Sequence, residues 1–371
     1  MNNSLISKLK GIDDYISYVN IQLDYTKYLT PINLKEENTK FIEKYRNNQR
    51  YNPIYCYKPY GNIDFEKLKK DINEYQLSDS PIERIFKRYL IYLIKLTNFY
   101  QNRCNYLNYT KYSIESFGFP NDDLVKNAYS FLTSNQAVDN QEDKHFNASS
   151  LSKKLQNQLN SYGYKWKIVV LESSTTKVTV DPEKKIIYLN GSQKFSENDL
   201  DRLKVHEIDT HVLRSENGSM QPFKIFSTGL ANSLATEEGI AVVSEEKNNV
   251  LNNNTLRLYA GRVIAVALSK QKSFYEIFIE LLNYFNEQDS LYITQRVKKG
   301  LEDTSQAGGF TKDYVYYYGY IRLKQYFQKL KNQNNKALFV GSVGLEDLED
   351  IDILLKSGLL REPDIMPKTY L

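Results

Sequence analysis

Histidine is scarce in this 371-residue chain, and two of the three fall in one hexapeptide, His206-Glu207-Ile208-Asp209-Thr210-His211. Further on, Glu237-Glu238-Gly239 adds two adjacent carboxylates. Two imidazoles and a carboxylate, with a spare Glu beside the first His, are the parts of a hydrolytic zinc site with an open fourth position. The spacing is what constrains the fold. On a regular α-helix each residue turns about 100°, so residues four apart share a face, whereas residues five apart lie about 140° from each other. Rings splayed that far do not grip one ion. The HExxxH spacing therefore requires a π-turn that absorbs one extra residue, or a helix that loosens near His211 so that the second ligand comes from its end. Both predict distorted backbone between Glu207 and His211; regular α-helix there would undermine the metal reading.

The flanking sequence supplies a helix for the first motif. Ser196 with Asp199 three residues on forms an N-cap signature, and Leu200, Leu203, Ile208 and Val212 give a broken apolar stripe that stops near Asn217-Gly218. Thr236 starts a second helix, in which Gly239 lets another backbone or the metal site approach closely. Residues 166–171, 177–180 and 186–189 read as the strands of a small sheet. By analogy with zinc peptidases, the last of these reads as the edge strand that would hold an extended peptide. Helical patterns also cover 63–101, 255–270, 273–286 and 312–331, whereas 52–60 is a Pro- and Tyr-rich connector and 134–150 a polar loop containing His145. The expected fold is α+β and mainly helical, with a small β-sheet preceding the HExxxH helix. Residues 1–120 read as an N-terminal, mostly helical region packed on a catalytic domain at 121–371.

Composition narrows the partners. At 41% hydrophobic and 25% charged the chain is an ordinary globular sequence, long enough to bury a sizeable core. With 49 basic and 45 acidic residues, its net charge of +4 is too balanced for a nucleic-acid or membrane binder, though it suits an acidic peptide tail. Cys56 and Cys104 form neither a CxxC pair nor a disulfide framework, which fits a reduced, cytoplasmic setting. The N-terminus has no apolar signal core, and no apolar run approaches the length of a membrane span. The 31 tyrosines, alongside abundant Asn, Lys and Ile, reflect the coding bias of an AT-rich genome and not a stacking platform. Nothing in the sequence fixes an oligomeric state.

The two motifs, His206-Glu-Ile-Asp-Thr-His-Val-Leu-Arg214 and Ala235-Thr-Glu-Glu-Gly-Ile-Ala241, closely resemble the tubulin tyrosine carboxypeptidase type of metalloprotease, whose bacterial relatives carry Gln-Glu-Gly-Leu-Ala in the second. The blocks at 259–267, 296–300, 303–306, 309–313 and 345–367 extend the resemblance over roughly residues 50 to 367. The resemblance implies a zincin-like, largely helical domain that removes a C-terminal aromatic residue, typically Tyr and possibly Phe, from a polypeptide; the eukaryotic members act on α-tubulin. It implies one Zn2+ per chain held by His206, His211 and Glu238, with Glu207 as the catalytic carboxylate. The choice of Glu238 over Glu237 follows the relatives, which keep only the Glu before Gly. Asp209 stands where the family has Gly, and either tunes the site or faces solvent.

A carboxypeptidase also needs a cation for the terminal carboxylate and a donor for the tetrahedral oxyanion. Arg214, Arg296, Lys299 and Lys312 are the candidate cations, and Tyr314, Tyr316 and Tyr317 the candidate donors, Tyr316 being the one carried as a site residue. Each has a plainer reading: Arg214 pairing with an acid, Lys298-Lys299 as a solvated face, the tyrosines as packing. Glu245 and Glu246, two turns beyond Glu238, can orient a ligand imidazole or lie on the helix surface. Two other functions remain open at this stage: a zinc endopeptidase or aminopeptidase with the same core, and a regulatory or binding protein whose metal site is vestigial.

Overall fold

A computed structural model describes residues 3–136, 146–172, 174–330 and 336–367. His145 and much of the expected loop at 134–150 lie outside the described residues. The chain opens with α1 (Asn3–Gln22), α2 (Tyr25–Leu29), α3 (Leu34–Arg46), α4 (Phe65–Asn73), α5 (Pro81–Gln101), α6 (Tyr106–Phe117) and α7 (Asp122–Ser134). The helical pattern at 63–101 thus divides in two, because Ser80 and Pro81 start a new helix, with Pro in its first turn. Next come β1 (Phe146–Asn147), α8 (Ala148–Ser161), β2 (Lys167–Leu171), β3 (Val178–Asp181), β4 (Ile186–Asn190) and β5 (Lys194–Phe195). Helices follow: α9 (Glu197–Leu203), a π-helix (Lys204–Val212), α10 (Leu213–Ser219), α11 (Ile225–Thr228), α12 (Ser233–Lys247), α13 (Asn253–Ser269), α14 (Phe274–Leu281), α15 (Glu287–Lys298), α16 (Val315–Leu330) and α17 (Leu348–Lys356). The fold is α+β and mainly helical, with its small sheet ahead of the ligand helix. No helix among the described residues is long and apolar enough to cross a membrane.

The three-stranded sheet has the order β2-β4-β3, with β2 parallel and β3 antiparallel to β4. This corrects the expectation for 186–189: β4 is the central strand, and β2 and β3 are the edges. Ile187 and Leu189 of β4 are fully buried, in one cluster with Leu151, Leu155 and Leu159 of α8 and with Leu200, Leu203, Ile208 and Val212 of the ligand helix. Each such side chain contributes about 1.5–3 kcal/mol, and together they fix the helix beneath the sheet. A second cluster joins α1, α5 and α6 to Phe223, Phe226, Leu301, Phe310 and Val340, so the N-terminal helices share a core with the segments that surround the site.

α12 and α16 cross at a pair of glycines. A Cβ on Gly239 would sit 2.5 Å from the carbonyl carbon of Gly319, and one on Gly319 only 2.1 Å from the Ala235 oxygen. Sequence reasoning left open what approaches Gly239; it is the backbone of α16. Gly239→Ala is therefore expected to destabilise the protein by about 1–3 kcal/mol through overpacking. Gly11→Ala, in an exposed turn of α1 with nothing near its Cβ, is expected to stabilise it by about 0.5–1 kcal/mol. Thermal unfolding of the two variants should move the midpoint in opposite directions.

Candidate metal centre and its cleft

The Ser196 hydroxyl caps Asp199 N–H at 3.0 Å and the Asp199 carboxylate returns to the Ser196 N–H at 3.1 Å, a reciprocal box that starts α9. From Lys204 the ladder changes period: the Leu213 N–H reaches back to the Ile208 oxygen, five residues away. The Thr210 hydroxyl likewise donates to the Val205 oxygen at 3.0 Å. Residues five apart then share a face, and the rings of His206 and His211 have centroids 4.9 Å apart. This is the distorted backbone that the HExxxH spacing predicts. The helix runs on past Asn217-Gly218 to Ser219.

α12 brings in the third group. Glu238 Oε2 lies 3.4 Å from His206 Nε2 and 3.6 Å from His211 Nε2. One ligand atom from each of the three residues falls within 4.8 Å of the others. The opposite nitrogen of each ring meets another carboxylate: His206 Nδ1 lies 2.6 Å from Glu245 Oε1, and His211 Nδ1 lies 3.0 Å from Glu237 Oε1. Those carboxylates are themselves anchored. Arg202 Nη1 donates to Glu245 at 3.1 Å. Arg214 is fully buried, donating to Glu237, to the Leu338 oxygen at 3.0 Å and to the Val343 oxygen at 2.7 Å. Holding Nδ1 in this way aims each Nε2 at Glu238.

The residues fit a metal ion. Glu238 Oε2, central to the cluster, is buried without a hydrogen-bond partner among the described residues. The site also draws positive charge: burial alone would lower the His206 pKa, but Glu207, Glu238 and Glu245 outweigh it and raise it to about 9. Burial likewise pushes the Glu238 carboxyl up, and the two imidazoles overcome that and hold it well below its usual range. Borderline-soft imidazole with one carboxylate is a donor set suited to a first-row divalent ion.

A cavity of about 320 Å³ opens over His206, Glu207, His211 and Glu238. Val178, Thr179 and Val180 of the edge strand β3 form part of its wall, and Arg296, Lys299, Lys312, Tyr316 and Tyr25 line it as well. A smaller hollow of about 90 Å³ shares His206, Glu207, Arg296 and Tyr316 with it and adds Lys177, Arg202 and Arg262.

The candidate cations separate clearly. Arg214 does not line the cavity; its guanidinium ties Glu237 to the chain near Leu338 and Val343. Arg296 lines the cavity but is forked onto Asp313, with Nη2 to Oδ1 at 2.8 Å. Lys299 and Lys312 line it with no ion pair among the described residues, and burial pushes both ammonium pKa values down. The solvated-face reading of Lys298-Lys299 is incorrect. Lys298 is fully buried, its Nζ donating to the oxygens of Lys272, Gln306 and Gly308 at 2.7, 2.7 and 2.9 Å.

The tyrosines divide in the same way. Tyr316 stacks on Tyr259 at 5.1 Å and lies nearly parallel to the His206 ring at 6.4 Å. Tyr314 packs over Gly118, and Tyr317 donates to Asn127 at 2.8 Å. Asp209 turns away, lining a separate hollow with Tyr162 and Tyr164. Glu246 accepts from Tyr320 and Lys324, both at 2.8 Å. Sequence reasoning missed the orienting role of Glu237, weighing it only as an alternative ligand. It also missed Tyr25, which no local pattern marks.

The sequence model of the microtubule-associated tyrosine carboxypeptidase family matches residues 40–371. The chain belongs to this family. Its relatives include microtubule-associated tyrosine carboxypeptidase 1 of Rattus norvegicus, 31% identical over 172 residues, which is 44% of this chain and 35% of the relative. The protein of the same name from Mus musculus is 30% identical over 172 residues, again 44% and 35%. That of Homo sapiens is 29% identical over 181 residues, 47% and 36%. The aligned part thus spans about a third of the length of these relatives. In this family member the outer carboxylates make a prediction: Glu245→Ala and Glu237→Ala should each weaken metal binding about 10- to 100-fold. Competition titration against a chromogenic chelator measures this directly.

Proposed function

We propose that the chain is a zinc carboxypeptidase that removes a C-terminal aromatic residue, tyrosine or phenylalanine, from a peptide or protein. The observation that carries this reading is the convergence of His206, His211 and Glu238 beside a carboxylate, Glu207, in a cavity that also exposes two lysines with no ion pair among the described residues. One Zn2+ per chain would be held by those three side chains. Bound there, zinc supplies Lewis-acid polarisation of the scissile carbonyl and acidifies the attacking water.

The protein's own groups divide the remaining work. Glu207 is buried beside His206 and faces the cavity; it takes the proton of the attacking water and delivers it to the leaving amine. Tyr316 is the oxyanion donor: burial, reinforced by Glu238, raises its pKa well above that of free tyrosine, so its hydroxyl stays protonated and able to donate. Lys299 and Lys312 bind the terminal carboxylate. A buried ammonium without an acid partner is unfavourable until an anion enters, so these two lysines favour a free C-terminus. The edge strand β3 holds the substrate backbone in extended form. Lys177 and Arg262 around the smaller hollow favour acidic residues before the terminal tyrosine, as in a tubulin-like tail. Residues 121–371 would make up the catalytic domain, with 1–120 packed on it. The exposed free thiols of Cys56 and Cys104 suit a reducing, cytoplasmic setting.

Release of free amino acid from peptides ending in Tyr, Phe, Leu or Glu tests this reading. Tyr release is expected to exceed Leu and Glu release, to stop on chelation and to return with one equivalent of zinc. Glu207→Gln should keep the metal and lose about 10²- to 10⁴-fold in kcat; Tyr316→Phe should lose about 10²-fold. Lys299→Met and Lys312→Met should act mainly on KM. Cleavage at internal bonds, with no terminal release, would instead indicate an endopeptidase. Stoichiometric zinc with no turnover would indicate a binding role.

A further inference from the structure

The carboxylate end of the cleft is completed by a residue outside the stretch that matches the family, which begins at residue 40. Tyr25, the first residue of α2, lines the cavity. Both lysines, neither in an ion pair with a described residue, approach its ring, with Lys299 Nζ 4.8 Å and Lys312 Nζ 5.1 Å from the centroid. Lys299 Nζ also lies 4.6 Å from the centroid of Phe310, whose ring is 5.4 Å from that of Tyr25. The Tyr25 hydroxyl is buried without a hydrogen-bond partner among the described residues, whereas its ring lies against the two ammonium groups. Two buried like charges repel each other. A ring with negative faces close to both offsets that repulsion and limits where each ammonium can go.

The N-terminal segment is fastened so that this ring stays in place. Asp24 accepts from Lys184 at 2.7 Å, at the turn joining β3 to β4. Ser17 donates to Glu183 of the same turn at 3.0 Å, and Asp13 accepts the backbone N–H groups of Lys224 and Ile225 at 2.6 and 3.1 Å. Arg103 donates to the Tyr28 oxygen at 2.8 Å. The edge strand and the lysine pair are thus tied to one N-terminal anchor.

We infer that Tyr25 is a positioning residue for substrate selection: its ring holds Lys299 and Lys312 as a two-pronged receptor for the terminal carboxylate and so sets the preference for a free C-terminus over a blocked or extended one. This inference rests on the carboxypeptidase reading. In a Glu207→Gln background, where binding is separated from turnover, calorimetry would compare one peptide ending in Tyr as free acid and as amide. The parent is expected to bind the acid at least tenfold more tightly. Tyr25→Phe keeps the π face and should leave that ratio within twofold. Tyr25→Leu should reduce it about tenfold by weakening acid binding alone, with zinc content unchanged. Tyr25→Met fills the same wall without a π face and serves if the Leu variant does not fold. A ratio unchanged in the Leu or Met variant, or lost equally in Tyr25→Phe, would overturn the inference while leaving the carboxypeptidase reading intact. A parent that does not distinguish acid from amide would overturn both.

Discussion

Between Lys204 and Val212 the backbone hydrogen bonds reach five residues back, and that change of period places His211 over His206 instead of about 140° away. The remaining features of the site are arranged around this turn. Its apolar side, through Ile208 and Val212, is held against β4 and α8. Its polar side presents His206, Glu207 and His211 to the cavity. A π-turn has poorer packing and hydrogen-bond geometry than α-helix, and here two carboxylate clasps and a sheet core offset that weakness. The close approach of α12 to α16 at Gly239 and Gly319 completes the arrangement. It lets Glu238 arrive from one helix and Tyr316 from the other.

Charge is distributed with similar economy. Glu207, Glu237, Glu238 and Glu245 surround two imidazoles, while Arg202 and Arg214 each neutralise one outer carboxylate from behind. Arg296 is neutralised by Asp313. What is left over is an excess of negative charge where a metal would bind and an excess of positive charge at Lys299 and Lys312. A peptide with a free carboxylate and a polarisable carbonyl complements both ends of that field.

Much of this was legible in the sequence, and the failures have physical causes. The three strands were visible because short β-branched runs bounded by turn residues have few other uses. Their order was not, since a central and an edge strand of four or five apolar residues look alike, and tertiary packing put β4 in the middle. The π-turn followed from ligand geometry applied to a five-residue spacing. α15 was not anticipated as a helix: its buried face is built partly from Ser290 and Thr294, which carry no apolar signal. Lys298 looked like a surface cation because a single sequence does not reveal which carbonyls will surround it, and for the same reason Arg214 could be read either as a substrate cation or as the partner of an acid, which it is. Tyr25 was illegible for a stronger reason. It acts through two lysines more than 270 positions away, and no local periodicity records such a contact.

X-ray absorption at the zinc edge of the reconstituted protein tests the central claim most directly. The expected result is one zinc per chain in a shell of nitrogen and oxygen only, at about 2.0–2.1 Å, with the scattering signature of two imidazoles. Loss of one imidazole in His211→Ala should be visible in the same spectrum. A sulfur shell, a single imidazole, or a spectrum unchanged by His211→Ala would show that the five-residue spacing does not build the metal site.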